Sequence, residues 1–272
     1  MTQVFIEGVG LCGPGLDGWV RSAPILAGLE AYIPAPENLP PCLLLPANER
    51  RRAPKMVKLA LGVGAEAFAV AGRAPAATPA IFTSSGGDGE TIHDILNTLA
   101  LPPPELSPTK FHNSVHNAAA GYWSIATGAK VGSTSLCCHD DSFAAGLLEA
   151  MAQMANTGEA VVLIAYDVPY PATLGTVRSI GAVFGVAILL SPTATASSFA
   201  RLGVKLLPGV FAPSAADSGL EALRQSTPAA RCLPLLAGLA GRAPAFVNLD
   251  YLGDMTLALE ITPCAAASVE AA

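Results

Sequence analysis

Residues 3–11 alternate between apolar and polar side chains, the period of a strand with one face inward. Residues 16–29 read as a short helix, and the proline-rich stretch 31–48 as a loop. The period then lengthens. Over 49–72, Met56, Leu59, Val63 and Ala67 fall on one helical face. A strand at 79–83 leads into a glycine-rich turn at 84–89 and a helix at 91–101, stopped by Pro102, Pro103 and Pro104. The pattern next gives a helix at 114–128, a strand at 131–136 and a helix at 142–157. In that last helix Phe143, Leu147, Met151 and Met154 recur at helical spacing and Gly158 marks the end. The unbroken apolar run 161–165 is that of a strand buried on both faces. Strands at 183–190 and 201–207 follow, then a helical stretch at 218–239 broken at Pro228, and two last strands at 245–250 and 255–262. The alanine-rich tail from Ala265 is expected to fray. Strands and helices alternate along the chain, which makes the fold α/β with helices packed on a mixed sheet.

Composition sharpens this picture. In 272 residues, 51% are hydrophobic and only 13% charged, about half the usual charged share of roughly 25%. So uncharged a surface implies that part of it is covered in an oligomer or complex. A net charge of −6 argues against general nucleic-acid binding. The start of the chain lacks a basic region followed by an apolar core, and the longest apolar run, 180–190, is too short to span a bilayer. Six cysteines without metal-ligand spacing point to a reducing cytoplasm, with no cofactor and no metal expected.

The densest candidate chemistry lies in Gly132-Ser133-Thr134-Ser135-Leu136-Cys137-Cys138-His139-Asp140-Asp141-Ser142. A strand that turns straight into a helix brings Cys137 near unpaired backbone N–H groups and the positive end of a helix dipole, which favour the nucleophilic thiolate. The plainer reading is a small buried hydrophobe. Asp140 and Asp141 either cap the helix or oppose a thiolate by their charge. His112 and His116 would share a helical face, as in some zinc sites, or hydrogen-bond inside a loop. His112 or His139 could take the proton of the Cys137 thiol, with Asp140 beside it, in an acyl-transfer unit. Arg50, Arg51, Arg52, Lys55 and Lys58 form a basic cluster at a helix start.

These segments, in this order, resemble the β-ketoacyl synthases of the thiolase superfamily. The resemblance is carried by the opening strand and glycine turn at 4–15, Lys58-Leu59-Ala60-Leu61, Phe82-Thr83-Ser84-Ser85-Gly86-Gly87, Ser107-Pro108-Thr109-Lys110-Phe111, the nucleophile-type segment around Cys137, and Phe184-Gly185-Val186-Ala187-Ile188-Leu189-Leu190. It implies a thiolase-like fold forming a single domain, with a full N-terminal half over 1–207 and a short substitute for the second half over 208–272. The family's second half supplies two histidines, yet all four histidines here (His93, His112, His116, His139) lie earlier. The chain is therefore most similar to short chain-length-factor-like proteins of aryl polyene and polyketide gene sets. The resemblance implies an accessory subunit of polyketide or fatty-acid assembly, partnered by a full-length ketosynthase or an acidic acyl carrier protein, with the basic cluster as the carrier dock. It also implies a dimer along 131–136, where Val131, Ser133 and Ser135 offer an uncharged edge and Tyr122 and Trp123 apolar contact. The alternative is an acyltransferase that forms an acyl-enzyme at Cys137.

Overall fold

The computed structural model describes residues 2–209 and 217–264. Strand β1 (Thr2–Gly13) hairpins into β2 (Leu16–Asp17), and α1 (Trp19–Leu26) follows. The helix expected from 16 thus begins three residues late, because the hairpin takes Leu16 and Asp17 as Cα partners of Gly13 and Cys12. The expected helix over 49–72 is two helices, α2 (Ala47–Arg52) and α3 (Lys55–Ala71). Pro54 forces Ala53 into an extended conformation, ψ 128°, and separates them. Strand β3 (Ala80–Thr83) and α4 (Gly89–Leu99) come next. The helix expected over 114–128 is replaced by α5 (Pro108–Asn113) and α6 (Ala118–Thr127). Then come β4 (Ser133–Leu136), α7 (Ser142–Thr157), β5 (Val161–Asp167), α8 (Ala172–Gly175), β6 (Phe184–Ser191) and β7 (Ala200–Pro208). The last elements are α9 (Ser218–Ser226), a 3-10 turn at Pro228–Cys232, α10 (Leu233–Ala240), β8 (Ala245–Tyr251) and β9 (Met255–Pro263). The tail from Ala265 lies outside the described residues.

Among the described residues one mixed sheet runs β4-β3-β5-β6-β1-β7-β9-β8. β4, β3 and β5 are parallel, and every later neighbour is antiparallel. Helices α1, α7, α9 and α10 cover one face and α3 and α6 the other, giving three layers. β5 and β6 are buried along their whole length, as continuous apolar runs require. Packing of α3 on β1 is close: a side chain at Gly8 or Gly10 would enter the helix backbone at Ala67 or Val63. The C-terminal strands do not start a new layer. β7 pairs with β1 on one side and β9 on the other, so they widen the same sheet.

The parallel strands place their C-terminal ends side by side. Thr83 is in register with Leu136 and with Ala165, so the segments after β3, β4 and β5 emerge along one edge, where open α/β sheets gather their functional groups.

Candidate functional site

That edge brings together the turn after β3, the strand–helix connection after β4 and Asp167 at the end of β5. Cys137 follows β4 directly and its thiol is exposed. It does not sit at the N-terminus of α7. Cys138 and a 3-10 turn, His139–Asp141, separate it from that helix. The helix-dipole argument for a Cys137 thiolate therefore does not hold. Instead the Cys137 Sγ donates to the Ser85 carbonyl at 3.0 Å. Cys138 is half-buried, and burial, then Cys137 and Asp141, push its thiol pKa up.

The connection is strained at His139, whose φ is 53°, a left-handed value costly for a residue with a Cβ. The Ser142 hydroxyl supports it, accepting from the Cys138 N–H at 3.0 Å and donating to the His139 carbonyl at 2.7 Å. The residues that the strained turn presents at its head are thus His139 and Asp140, not a cysteine. Because His139 is not helical, its Nδ1 can come within 3.6 Å of Asp140 Oδ1, a contact that the helical reading of these neighbours excludes.

Asp140 and Asp141 cap nothing. Asp140 accepts from Arg178 at 2.6 Å and Arg231 at 3.1 Å, and Asp141 accepts from Arg231 at 3.0 Å. Burial alone would raise the pKa of Asp140, but the Arg178 hydrogen bond and the charges of Arg231 and Arg178 outweigh it and hold the carboxyl below its ordinary value. Two guanidinium groups are stronger donors than the backbone N–H groups that capping would use.

Asp167 is the buried acid beneath the turn. It accepts from the Ser85 N–H at 2.8 Å, the Ser84 hydroxyl at 3.2 Å and the Ala229 N–H at 2.9 Å. Burial dominates, with the hydrogen bonds opposing it, and its pKa stands at about 6. The Tyr170 ring lies over the turn, filling the space that side chains at Gly86 and Gly89 would take.

The remaining candidates lie apart from this group. His112 stacks edge-on against Tyr122, with ring centroids 6.1 Å apart, and no contact joins it to Cys137. His116 packs near Gly87 with its Nε2 buried and unpartnered. α5 ends at Asn113, so His112 and His116 are not a helical pair, and no group of metal-ligating side chains forms among the described residues. Lys55 pairs with Glu37 at 2.7 Å, Arg52 lies 3.9 Å from Glu49 and Arg51 bonds the Asn48 amide, which leaves Arg50, Arg51 and Lys58 without an ion pair among the described residues. Tyr122 and Trp123 are buried against α3 in the core, so they are not contact residues for a partner as the chain stands. The apolar side chain that α6 exposes is Ile125. A cleft of about 770 Å³ lies elsewhere, between α1, α10 and the loop before β7.

Sequence reasoning missed Asp167, Tyr170, Arg178 and Arg231. Asp167 had a faint signal, an acid closing an apolar strand. Arg178 and Arg231 had none, since they meet Asp140 across 38 and 91 residues of chain.

A strained strand–helix turn at the parallel edge of a three-layer α/β sheet is the architecture of a thiolase-like fold. The chain belongs to the β-ketoacyl synthase N-terminal domain family, whose model matches residues 27–226. No curated protein matches it. Among solved structures, it is similar to a chain of the ketosynthase ApeO in complex with its chain length factor ApeC from Xenorhabdus doucetiae, at 22% identity and TM-score 0.72, covering 96% of this chain and 100% of that one. It is also similar to the ishigamide ketosynthase/chain length factor, at 15% identity and TM-score 0.71, covering 97% and 100%. A third similar structure is a type II polyketide acyl carrier protein in complex with its hexaketide-bound ketosynthase, AntDE:AntF, at 12% identity and TM-score 0.74, covering 97% and 99%. At these identities the likeness is one of fold. No helix among the described residues is long and apolar enough to cross a membrane.

Proposed function

We propose that this chain is a chain-length-factor-like accessory subunit of polyketide, aryl polyene or fatty-acid assembly, working beside a full ketosynthase and not condensing on its own. One observation carries the reading: the head of the strained turn holds His139 and an Asp140 clamped by Arg178 and Arg231, where an acyl acceptor would need a free nucleophile. The partner pairs along β4. The Ala80 N–H bonds Gly132 O and the Ser84 N–H bonds Leu136 O, so the even residues of β4 face β3. The backbone of Ser133 and Ser135 therefore points to the open edge, and Val131 is exposed beside it. Carrier protein docks at the Arg50–Arg52, Lys55 and Lys58 cluster by charge.

The test is co-expression with the full-length ketosynthase encoded beside it, followed by size exclusion with light scattering and an assay of malonyl-carrier-protein decarboxylation. The expected result is a stable heteromer, with no turnover by this chain alone above a Cys137→Ala control. Turnover that depends on Cys137 would overturn the reading in favour of an acyltransferase in cytoplasmic thioester metabolism. The exposure of the Cys137 thiol is the one feature on that side.

A further inference from the structure

We infer that the cleft between α1, α10 and the loop before β7 binds a single-chain alkyl carboxylate, its tail held by apolar walls and its head by Arg242. The cleft measures about 770 Å³, inside the roughly 300–1,000 Å³ range of small-molecule sites. It forms at the seam where the C-terminal segment meets the start of the chain. Trp19 and Ala23 come from α1, Leu239 from α10, Ile261 from β9 and Phe199 from the loop before β7. The Trp19 and Phe199 rings lie 6.4 Å apart and give the cleft an aromatic wall. Val20 and Val70 also line it, and both are exposed. No residue of the edge that carries Cys137 and Asp167 lines it.

Two charged side chains line the cleft, Glu7 and Arg242. The buried Glu7 carboxylate accepts from Arg73 at 2.5 Å and from the Thr195 hydroxyl at 2.7 Å, so both its oxygens are engaged. Arg242 is exposed and has no ion pair among the described residues. Its φ is 48°, a left-handed value costly for a residue with a Cβ, whereas Gly241 beside it has φ −66°. The chain thus carries strain at the residue that brings a guanidinium to the cleft. Three features fix the ligand. Apolar walls favour a hydrocarbon body, at up to about fourfold in affinity per buried methylene. One unpaired guanidinium matches one carboxylate, which it holds by two parallel hydrogen bonds. A phosphate dianion would bring a second charge that no second cation meets, in a cleft that already holds Glu7. Because Arg242 is exposed, its charge selects the head more than it adds affinity. The site needs neither Cys137 nor a partner chain, so it stands apart from the accessory-subunit reading.

The experiment is titration of the full chain with dodecanoate below its micelle concentration, read by calorimetry and by the emission of Trp19, with Trp123 buried in the core as a steady background. One dodecanoate should bind per chain, and shorter carboxylates should weaken by up to about fourfold per methylene removed. Dodecanol on the wild type, and dodecanoate on Arg242→Gln, should each bind about twofold to fivefold more weakly. Dodecyl phosphate should bind no more tightly than dodecanoate. Arg242→Gly separates binding from a structural role: it relieves the left-handed strain, so the melting temperature should hold or rise while dodecanoate binding weakens. Val20→Asp, at an exposed position, should weaken binding by like charge and leave the fold intact. No saturable binding, full affinity in Arg242→Gln, or tighter binding of dodecyl phosphate overturns the proposal. Tighter dodecanoate binding by a chain ending at Cys264 also overturns it, giving the cleft to residues 265–272. Self-association that dodecanoate disperses does the same, giving it to a second copy of this chain.

Discussion

The sheet has two ends built on different rules. At one end the parallel strands β3 and β5 are buried on both faces, with helices above and below. At the other, β7, β9 and β8 bury one face against α9 and α10 and leave the other open, so Phe246 and Lys205 are exposed while Leu249, Leu257 and Leu259 are buried. Parallel strands need helical crossovers, which cover both faces, whereas antiparallel hairpins do not. The difference explains where chemistry can gather. Parallel strands finish at a common edge, and three of them deliver the turn, Cys137 and Asp167 there. The antiparallel end contributes to that edge through the 3-10 turn that carries Ala229 and Arg231.

The sharpest way to break this comparison is to make the same truncation at each end. Leu163→Ala in β5 should lower stability by about 2–5 kcal/mol, whereas Phe246→Ala in β8 should stay within about 0.5 kcal/mol, both read from urea unfolding midpoints. Equal losses would mean that the open face is covered after all. Next in size is the tie between the two ends. Arg231→Ala removes half-exposed ion pairs to Asp140 and Asp141 and should cost roughly 1 kcal/mol, less in high salt.

The two acids at the edge should respond to pH in opposite senses. Asp140 has its pKa lowered by folding, so its stabilisation is present above its ordinary value of 3.8 and is lost as pH falls below it. Asp167 has its pKa raised to about 6, so its contribution is full below 3.8 and lost as pH rises through 6. Thermal unfolding should therefore show a gain in stability from pH 7 to 5 that Asp167→Asn abolishes, and a fall below pH 4 that Arg178→Ala weakens. The smallest effect on the folded chain is expected from Ser133→Pro. It removes an N–H from the open edge of β4 only, so the melting temperature should hardly move while pairing with a partner is lost. A wild-type chain that remains monomeric with any co-expressed ketosynthase removes the basis for that expectation.

The elements were legible wherever one period ran unopposed. The helix at 142–157 and the strands at 161–165 and 183–190 stand where the pattern put them, give or take two residues. Failures came where a local break outweighed the period: Pro54 dividing a helix, a hairpin consuming Leu16 and Asp17, and the chain leaving helix between Asn113 and Ala118. At the site, Cys137 was legible as a residue at a strand end. Its environment was not, because that depends on Ser85, Asp167, Arg178 and Arg231, which reach it through tertiary contacts that no spacing records. Tyr122 and Trp123 misled for a related reason: an aromatic pair on a helix looks the same whether it faces a partner or the core.

The ring of Tyr170 over Gly86 and Gly89 has a consequence for how this family can drift. Three positions, two of them more than eighty residues from the third, share one volume. While the ring is there, neither glycine can gain even a methyl group without displacing it, and a chain that loses the ring leaves both free to vary. Descent should therefore change these sites as a set, with the tyrosine lost first and the glycines afterwards.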